Sequence, residues 1–330
     1  MKSNILDILL NEKKNELFSA CQTAQSFSNK KDDIILGNYS FSEERKITSS
    51  TPFDLASLTK ALFTAPAFYE LFFLKEFPEN KQLSDFFPKL SENITIFELL
   101  SHTSGYPAWI PFYEKIDNRY SLKERKLAVT RMILETVPGK KEHLYSDFNY
   151  ILLGFILEKI YQKDLGKVLE EFIQRNNLPA LTFGTEKESP LTAFSSLRNR
   201  FPNGEVEDEN CSFLGGKTGH AGLFASAKTV KNHMTKLIDL KWFQIVGKEL
   251  DFPGFDRPQG ENSNYGKNAT PQMIGHLGFT GTAFLSDPEK NKTAVILTNA
   301  THPTSEKSQR KEKIKKCRQT YFETAIKKTP

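Results

Sequence analysis

The feature that most constrains this fold is where strand and helix patterning fall along the chain: strand-like segments lie near both ends, and helical spacing fills the middle. Two apolar patches, about 24–27 and 34–39, flank the polar run Asn29, Lys30, Lys31, Asp32, Asp33 and predict a hairpin within 20–39. Residues 280–286 and 293–298 read as two strands joined by a turn over 287–292. Helical spacing runs from Ser57 to roughly 172, punctuated by Pro78, Pro88, Pro107, Pro111 and Pro138, and includes an amphipathic helix at 150–160. Residues 177–210 weaken into polar connection. Gly215, Gly216, Gly219 and Gly222 then mark a tight loop ahead of a helix at 228–240.

Strands from both ends with a helical middle predict an α/β (α+β) architecture. Residues 1–75 and 212–330 would form a mainly antiparallel sheet domain flanked by helices, and 76–211 an inserted, mainly helical lobe. At 330 residues the chain is long enough for a substantial core. The basic tail, 307–328, has helical period with Ile314, Cys317, Tyr321 and Ile326 near one face, which predicts a helix lying on the sheet with its basic face solvated. Pro66 has no N–H to offer the Leu62 carbonyl and predicts a kink beyond the first turn of its helix.

Composition removes several function classes. Apolar residues at 38 % and charged residues at 26 % describe a globular chain rather than a disordered one. The 45 Lys and Arg against 40 Asp and Glu leave +5, far short of a nucleic-acid-binding surface. Cys21, Cys211 and Cys317 are odd in number and widely spaced, so they read as reduced thiols rather than a disulfide framework or a zinc knuckle. The two most apolar stretches are 61–77, interrupted by Pro66, Glu70 and Lys75, and 148–157, about half of the roughly 20 residues a spanning helix needs. Both predict buried helices and no membrane insertion. Residues 1–20 lack the unbroken apolar run of a secretory leader, so a cytoplasmic protein is expected, although an exported chain trimmed of its leader reads the same.

Ser57-Leu58-Thr59-Lys60 heads the apolar helix that continues through Ala61, Leu62 and Phe63. Positions i and i+3 share a helix face, so Lys60 can reach the Ser57 hydroxyl and activate it as a nucleophile. The Ser57 backbone N–H, at a helix N-terminus, can face a developing oxyanion. In isolation the same four residues describe a capping serine and a solvated lysine. Tyr145-Ser146-Asp147 places a phenol just before a buried helix, where a neighbouring lysine lets it shuttle protons. His276-Leu277-Gly278-Phe279-Thr280-Gly281 leads into the last strands, with the Phe279 N–H as a second oxyanion donor.

Taken in order with Leu99-Leu100-Ser101-His102-Thr103-Ser104-Gly105 and Gly219-His220-Ala221-Gly222-Leu223-Phe224, these blocks resemble the class C β-lactamase family of serine hydrolases across about 53–299. That family also holds penicillin-binding D,D-peptidases, D-amino-acid amidases and esterases. The resemblance implies a β-lactamase-like fold with the active site between sheet and helical lobe, and acyl-enzyme chemistry without metal or cofactor. It makes Ser57 the nucleophile, Lys60 the base or its tuner, and Tyr145 the proton shuttle. The family's second block usually reads Tyr-x-Asn, and here Asp147 replaces the amide that contacts a β-lactam side chain. Its third usually reads Lys-Thr-Gly, and here His276-Leu277-Gly278 stands in its place, with an imidazole partly charged near neutral pH.

Both departures weaken the case for β-lactam hydrolysis and favour an esterase or a peptidase of other specificity, the esterase-like reading being preferred. A D,D-peptidase or weak β-lactamase acting on peptidoglycan-type substrates is the alternative, and a ligand-binding sensor on the same fold is the alternative of another class. Lys217-Thr218-Gly219 spells the third block literally but sits in the glycine loop, so His276 is taken as its true position. Tyr106, Trp109 and Phe279 are the expected pocket walls, with His220 bordering the site. His102 is read as a satisfied buried histidine, and Glu98, Asp208 and Glu209 as structural or solvated. The expected partner is a small-molecule or short-peptide substrate, with no nucleic acid.

Overall fold

The structure is a computed structural model that describes residues 5–28, 33–75, 77–88, 93–260, 263–306 and 309–326. Its main sheet joins the two ends of the chain. Strands β1 (Ala20–Gln25) and β2 (Ile35–Gly37) form the expected hairpin, whose polar run at Asn29, Lys30, Lys31 and Asp32 lies outside the described residues. Two short strands, β3 (Phe53–Asp54) and β4 (Thr182–Phe183), flank β5 (Leu223–Ala225) in a separate three-stranded sheet. Strands β6 (Ile274–Leu277), β7 (Ala283–Asp287) and β8 (Lys292–Thr298) complete the main sheet in the order β2-β1-β8-β7-β6, antiparallel throughout. Cys21 pairs with Thr298 and Gln25 with Ala294, so first and last strands lie side by side at the sheet centre. The β-lactamase-like mixture of antiparallel sheet and helices expected from the sequence is thus present. The strand around His276, which the alternation at 280–298 does not announce, adds an edge.

Alternate residues of β7 and β8 face opposite cores. Phe284, Val295 and Leu297 join the large cluster with the helical residues, whereas Ala283, Leu285, Ala294 and Ile296 pack against the terminal helices Ile5–Lys14 and Arg310–Ala325. Ile314, Cys317, Tyr321 and Ile326 are all buried there. The tail's basic residues are not uniformly solvated, however, because Arg310 and Arg318 are buried as well. Lys307, Lys327 and Lys328 lie outside the described residues.

The helix Asp147–Tyr161 corrects the expectation of an amphipathic element: every residue from Phe148 to Leu157 is buried. Gly154 lets this helix cross the loop at Gly219, where a Cβ would come within 2.6 Å of the Gly219 nitrogen. Near Pro66 the departure from α-geometry is a π-turn over Lys60–Thr64, inside the turn that carries Lys60 rather than beyond it. The Leu62 carbonyl that Pro66 leaves without a donor lies 3.0 Å from His233 Nε2.

Candidate active site

Ser57 is presented by a short, tightly held turn. Strand β3 pairs with β5 through Asp54 and Phe224, and the chain then enters a left-handed conformation at Ala56, φ +47°. The Ala56 N–H donates to Asp54 Oδ1 at 2.8 Å, and Thr59 Oγ1 donates to the Ala56 carbonyl at 2.7 Å. These bonds hold a backbone conformation that alanine rarely adopts, and the turn it makes sets Ser57 at the mouth of the helix.

Lys60 follows one helical step later and is wholly buried. Its Nζ donates to Ser57 Oγ at 2.9 Å and to the His220 carbonyl at 3.2 Å, and it lies 2.8 Å from Asp147 Oδ1. The Ser57 hydroxyl, the His220 carbonyl, the Asp147 carboxylate and the Tyr145 phenol thus surround the one ammonium. Burial alone would push the lysine pKa down, but Asp147 and then Tyr145 outweigh it and hold the value above the ordinary range. Tyr145 keeps 38 % of its surface exposed, with its hydroxyl end toward Lys60 and Ser57 and its ring 4.9 Å from Lys60 Nζ. Burial raises its phenol above the usual value, with Lys60 pulling the other way. At rest, therefore, both groups carry their protons.

The cleft in front of these residues has a volume of about 1320 Å³ and is lined by Ser57, His102, Trp109, Tyr145, Asp147, His276, Gly278 and Phe279 among others. His276, on the edge strand, is buried, with Nδ1 2.9 Å from the Leu277 carbonyl. Burial lowers its pKa, so the imidazole is neutral where partial charge was expected. Gly278 permits close contact with the nucleophile turn: a Cβ there would sit 2.0 Å from Thr282 Oγ1 and 2.9 Å from the Leu55 carbonyl. Among the described residues neither the Ser57 nor the Phe279 backbone N–H meets an acceptor. Lys217 of the literal Lys-Thr-Gly is on the surface, 3.3 Å from Asp164.

Several expected assignments change. Tyr106 is not a cleft wall: it is 1 % exposed and its ring packs near Phe148. His220 is buried behind the site, with Nδ1 2.8 Å from Thr218 Oγ1 and Nε2 3.1 Å from Asp208 Oδ1. Asp208 and Glu209, read as structural or solvated, line the cleft, and so does Glu207. Burial opposes ionisation of Asp208, yet His220 and the Cys211 N–H bring its pKa below the ordinary value. His102 is not a satisfied histidine. Its Nδ1 accepts from the Ser146 N–H at 3.1 Å, which leaves the ring proton on Nε2, and Nε2 has no partner among the described residues. The ring stacks 4.6 Å from that of Tyr145.

Asp147, Asp208 and His220 bring three potential ligand atoms within 4.8 Å of one another. The Lys60 ammonium beside Asp147 and the Asp208–His220 contact already answer their charges. The Lys60–Asp147 and His102–Ser146 contacts have no local signature, because their partners lie more than forty positions apart.

A family model described as Beta-lactamase matches residues 30–317. A protein of Escherichia coli strain K12, provisionally named a D-alanyl-D-alanine carboxypeptidase, is 27 % identical over 308 residues, covering 78 % of this chain and 71 % of its own. Among solved structures, EstCE1, described as a hydrolase with promiscuous acyltransferase activity, aligns with a TM-score of 0.69 at 15 % identity, covering 95 % of this chain and 97 % of its own. A beta-lactamase/D-alanine carboxypeptidase from Pseudomonas syringae gives 0.69 at 15 % identity, with 94 % and 97 % covered. At such identities the structural likenesses speak for the fold, whereas the family match spans most of the sequence. The chain belongs to the beta-lactamase family of serine hydrolases.

Proposed function

We propose that the protein cleaves an ester or amide bond of a small molecule or short peptide through an acyl-enzyme on Ser57, with esterase-like specificity. The observation that carries this reading is the 2.9 Å bond from Lys60 Nζ to Ser57 Oγ, beside two backbone N–H groups that have no acceptor among the described residues. Because Lys60 and Tyr145 both hold protons at rest, the transfer is a relay. The protons therefore move from the far end in one concerted step: Tyr145 gives its proton to the leaving group, takes one from Lys60, and Lys60, its lone pair thus freed, takes the Ser57 proton as Ser57 Oγ bonds to the carbonyl carbon and the leaving-group bond breaks. The Ser57 and Phe279 N–H groups receive the oxyanion. A water molecule then repeats the sequence on the acyl-enzyme, and every group ends in its starting protonation state.

A D,D-carboxypeptidase is the second reading, supported by the name of the Escherichia coli relative at 27 % identity. Two assays separate them: hydrolysis of p-nitrophenyl butyrate, and release of D-alanine from a peptide ending in D-Ala-D-Ala. Ester turnover without D-alanine release is expected. The reverse result would install the peptidase, and neither activity, with no adduct on Ser57, would favour a binding protein.

A further inference from the structure

Resting on that reading, we propose that Asp147 is a specificity-determining residue: its ion pair with Lys60 cancels the positive charge beside the nucleophile and selects acyl groups without a carboxylate near the scissile bond. The argument begins with Lys60. Its ammonium donates to Ser57 and to the His220 carbonyl, is ion-paired with Asp147 at 2.8 Å and has Tyr145 beside it, so a substrate anion would meet a charge that Asp147 already answers. The third-block position, where the resembling family places a lysine, holds His276, buried on the edge strand with Nδ1 against its neighbour's carbonyl.

Among the described residues one lysine or arginine lines the rest of the cleft, Arg257, and its charge is paired with Asp251, with further bonds to the carbonyls of Pro271 and Gln272 and only Nε left without a partner. Against it the lining carries Asp147, Asp208, Glu209, Asp251 and Asp256. A carboxylate placed beside Ser57 would meet Asp147 with no counter-charge free to hold it, whereas an uncharged or cationic acyl group meets no such opposition.

The test is a charge series of p-nitrophenyl esters with acyl chains of equal length ending in a methyl, a carboxylate or a trimethylammonium group. It is run on the wild type and on Asp147→Asn, with kcat and KM measured separately. For the wild type, kcat/KM on the anionic ester is expected to be lowest. In Asp147→Asn the anionic-to-neutral ratio should rise about tenfold or more, whatever happens to the absolute rates. Asp147→Glu should keep the wild-type ratio, and the wild-type series stands alone if the asparagine variant does not fold. A wild type indifferent to the carboxylate, or an asparagine variant whose ratio stays within twofold of it, overturns the proposal. Labelling of wild-type Ser57 by a fluorophosphonate is measured alongside. Absence of the adduct would overturn the serine-hydrolase reading itself, whereas a labelled enzyme with a flat charge series would overturn the selectivity alone.

Discussion

Arg318, on the C-terminal helix, donates to the Gly278 carbonyl at 2.8 Å and ties the end of the chain to the strand edge that borders the cleft. The same guanidinium donates to the carbonyls of Gly281 and Thr282, and Arg310 donates to that of Phe279. Arg318 is fully buried, and burial brings its pKa down to about 10. Its fork thus fixes the turn carrying the proposed Phe279 oxyanion donor.

Arg318→Lys should lower kcat roughly 10- to 100-fold with a smaller change in KM, because a point-like ammonium cannot hold three carbonyls and the Phe279 N–H loses its aim. Steady-state ester kinetics check this. A variant with wild-type kcat would show that the turn holds its shape without the fork.

Lys60→Met should abolish turnover and also destabilise the fold by about 3 kcal/mol, because it removes one partner of a largely buried ion pair and leaves the Asp147 carboxyl without its counterpart. Adding Asp147→Asn should restore much of that stability but none of the activity. Chemical denaturation of the single and double variants decides it. Equal stabilities for both would mean that the ion pair is not what holds this part of the site.

Stability should fall as pH rises toward 8. Burial pushes Glu207 from 4.5 up to about 8, against the opposing Thr301 hydroxyl, and likewise raises Asp54 from 3.8 to about 6. A carboxyl whose folded value exceeds its unfolded one binds more protons in the folded state. Its contribution is complete below the unfolded value and is lost as pH rises through the folded one. Melting temperature should therefore decline between about pH 5 and 8, and Glu207→Gln should flatten the upper part of that decline. An unchanged slope in the variant would place the loss elsewhere.

The sequence revealed those parts of the site that depend on local geometry. Ser57 and Lys60 share a helix face by spacing alone, and the hairpin and last two strands alternate plainly enough to place the sheet at the chain ends. The Asp147–Tyr161 helix misled because burial on all sides leaves its few polar residues without directional meaning. Tyr106 directly follows a motif block yet faces the core, which spacing cannot distinguish. The roles of Asp208 and His220 depend on loops meeting in space. In the tail, charge composition suggested solvent, whereas Arg310 and Arg318 turn inward to carbonyls made available by a turn about 30 to 40 positions earlier. Pro66 was legible as the loss of a donor to Leu62, but not His233 as its replacement.

The most direct test of the account is intact-mass spectrometry after incubation with a fluorophosphonate, on the wild type and on Ser57→Ala. Ser57 is held by Lys60 at 2.9 Å and opens onto the cleft, so the wild type should gain one phosphonyl adduct and the variant none, with melting temperatures alike. An adduct that survives in Ser57→Ala, or a folded wild type that forms none, would contradict the assignment of Ser57 as the nucleophile.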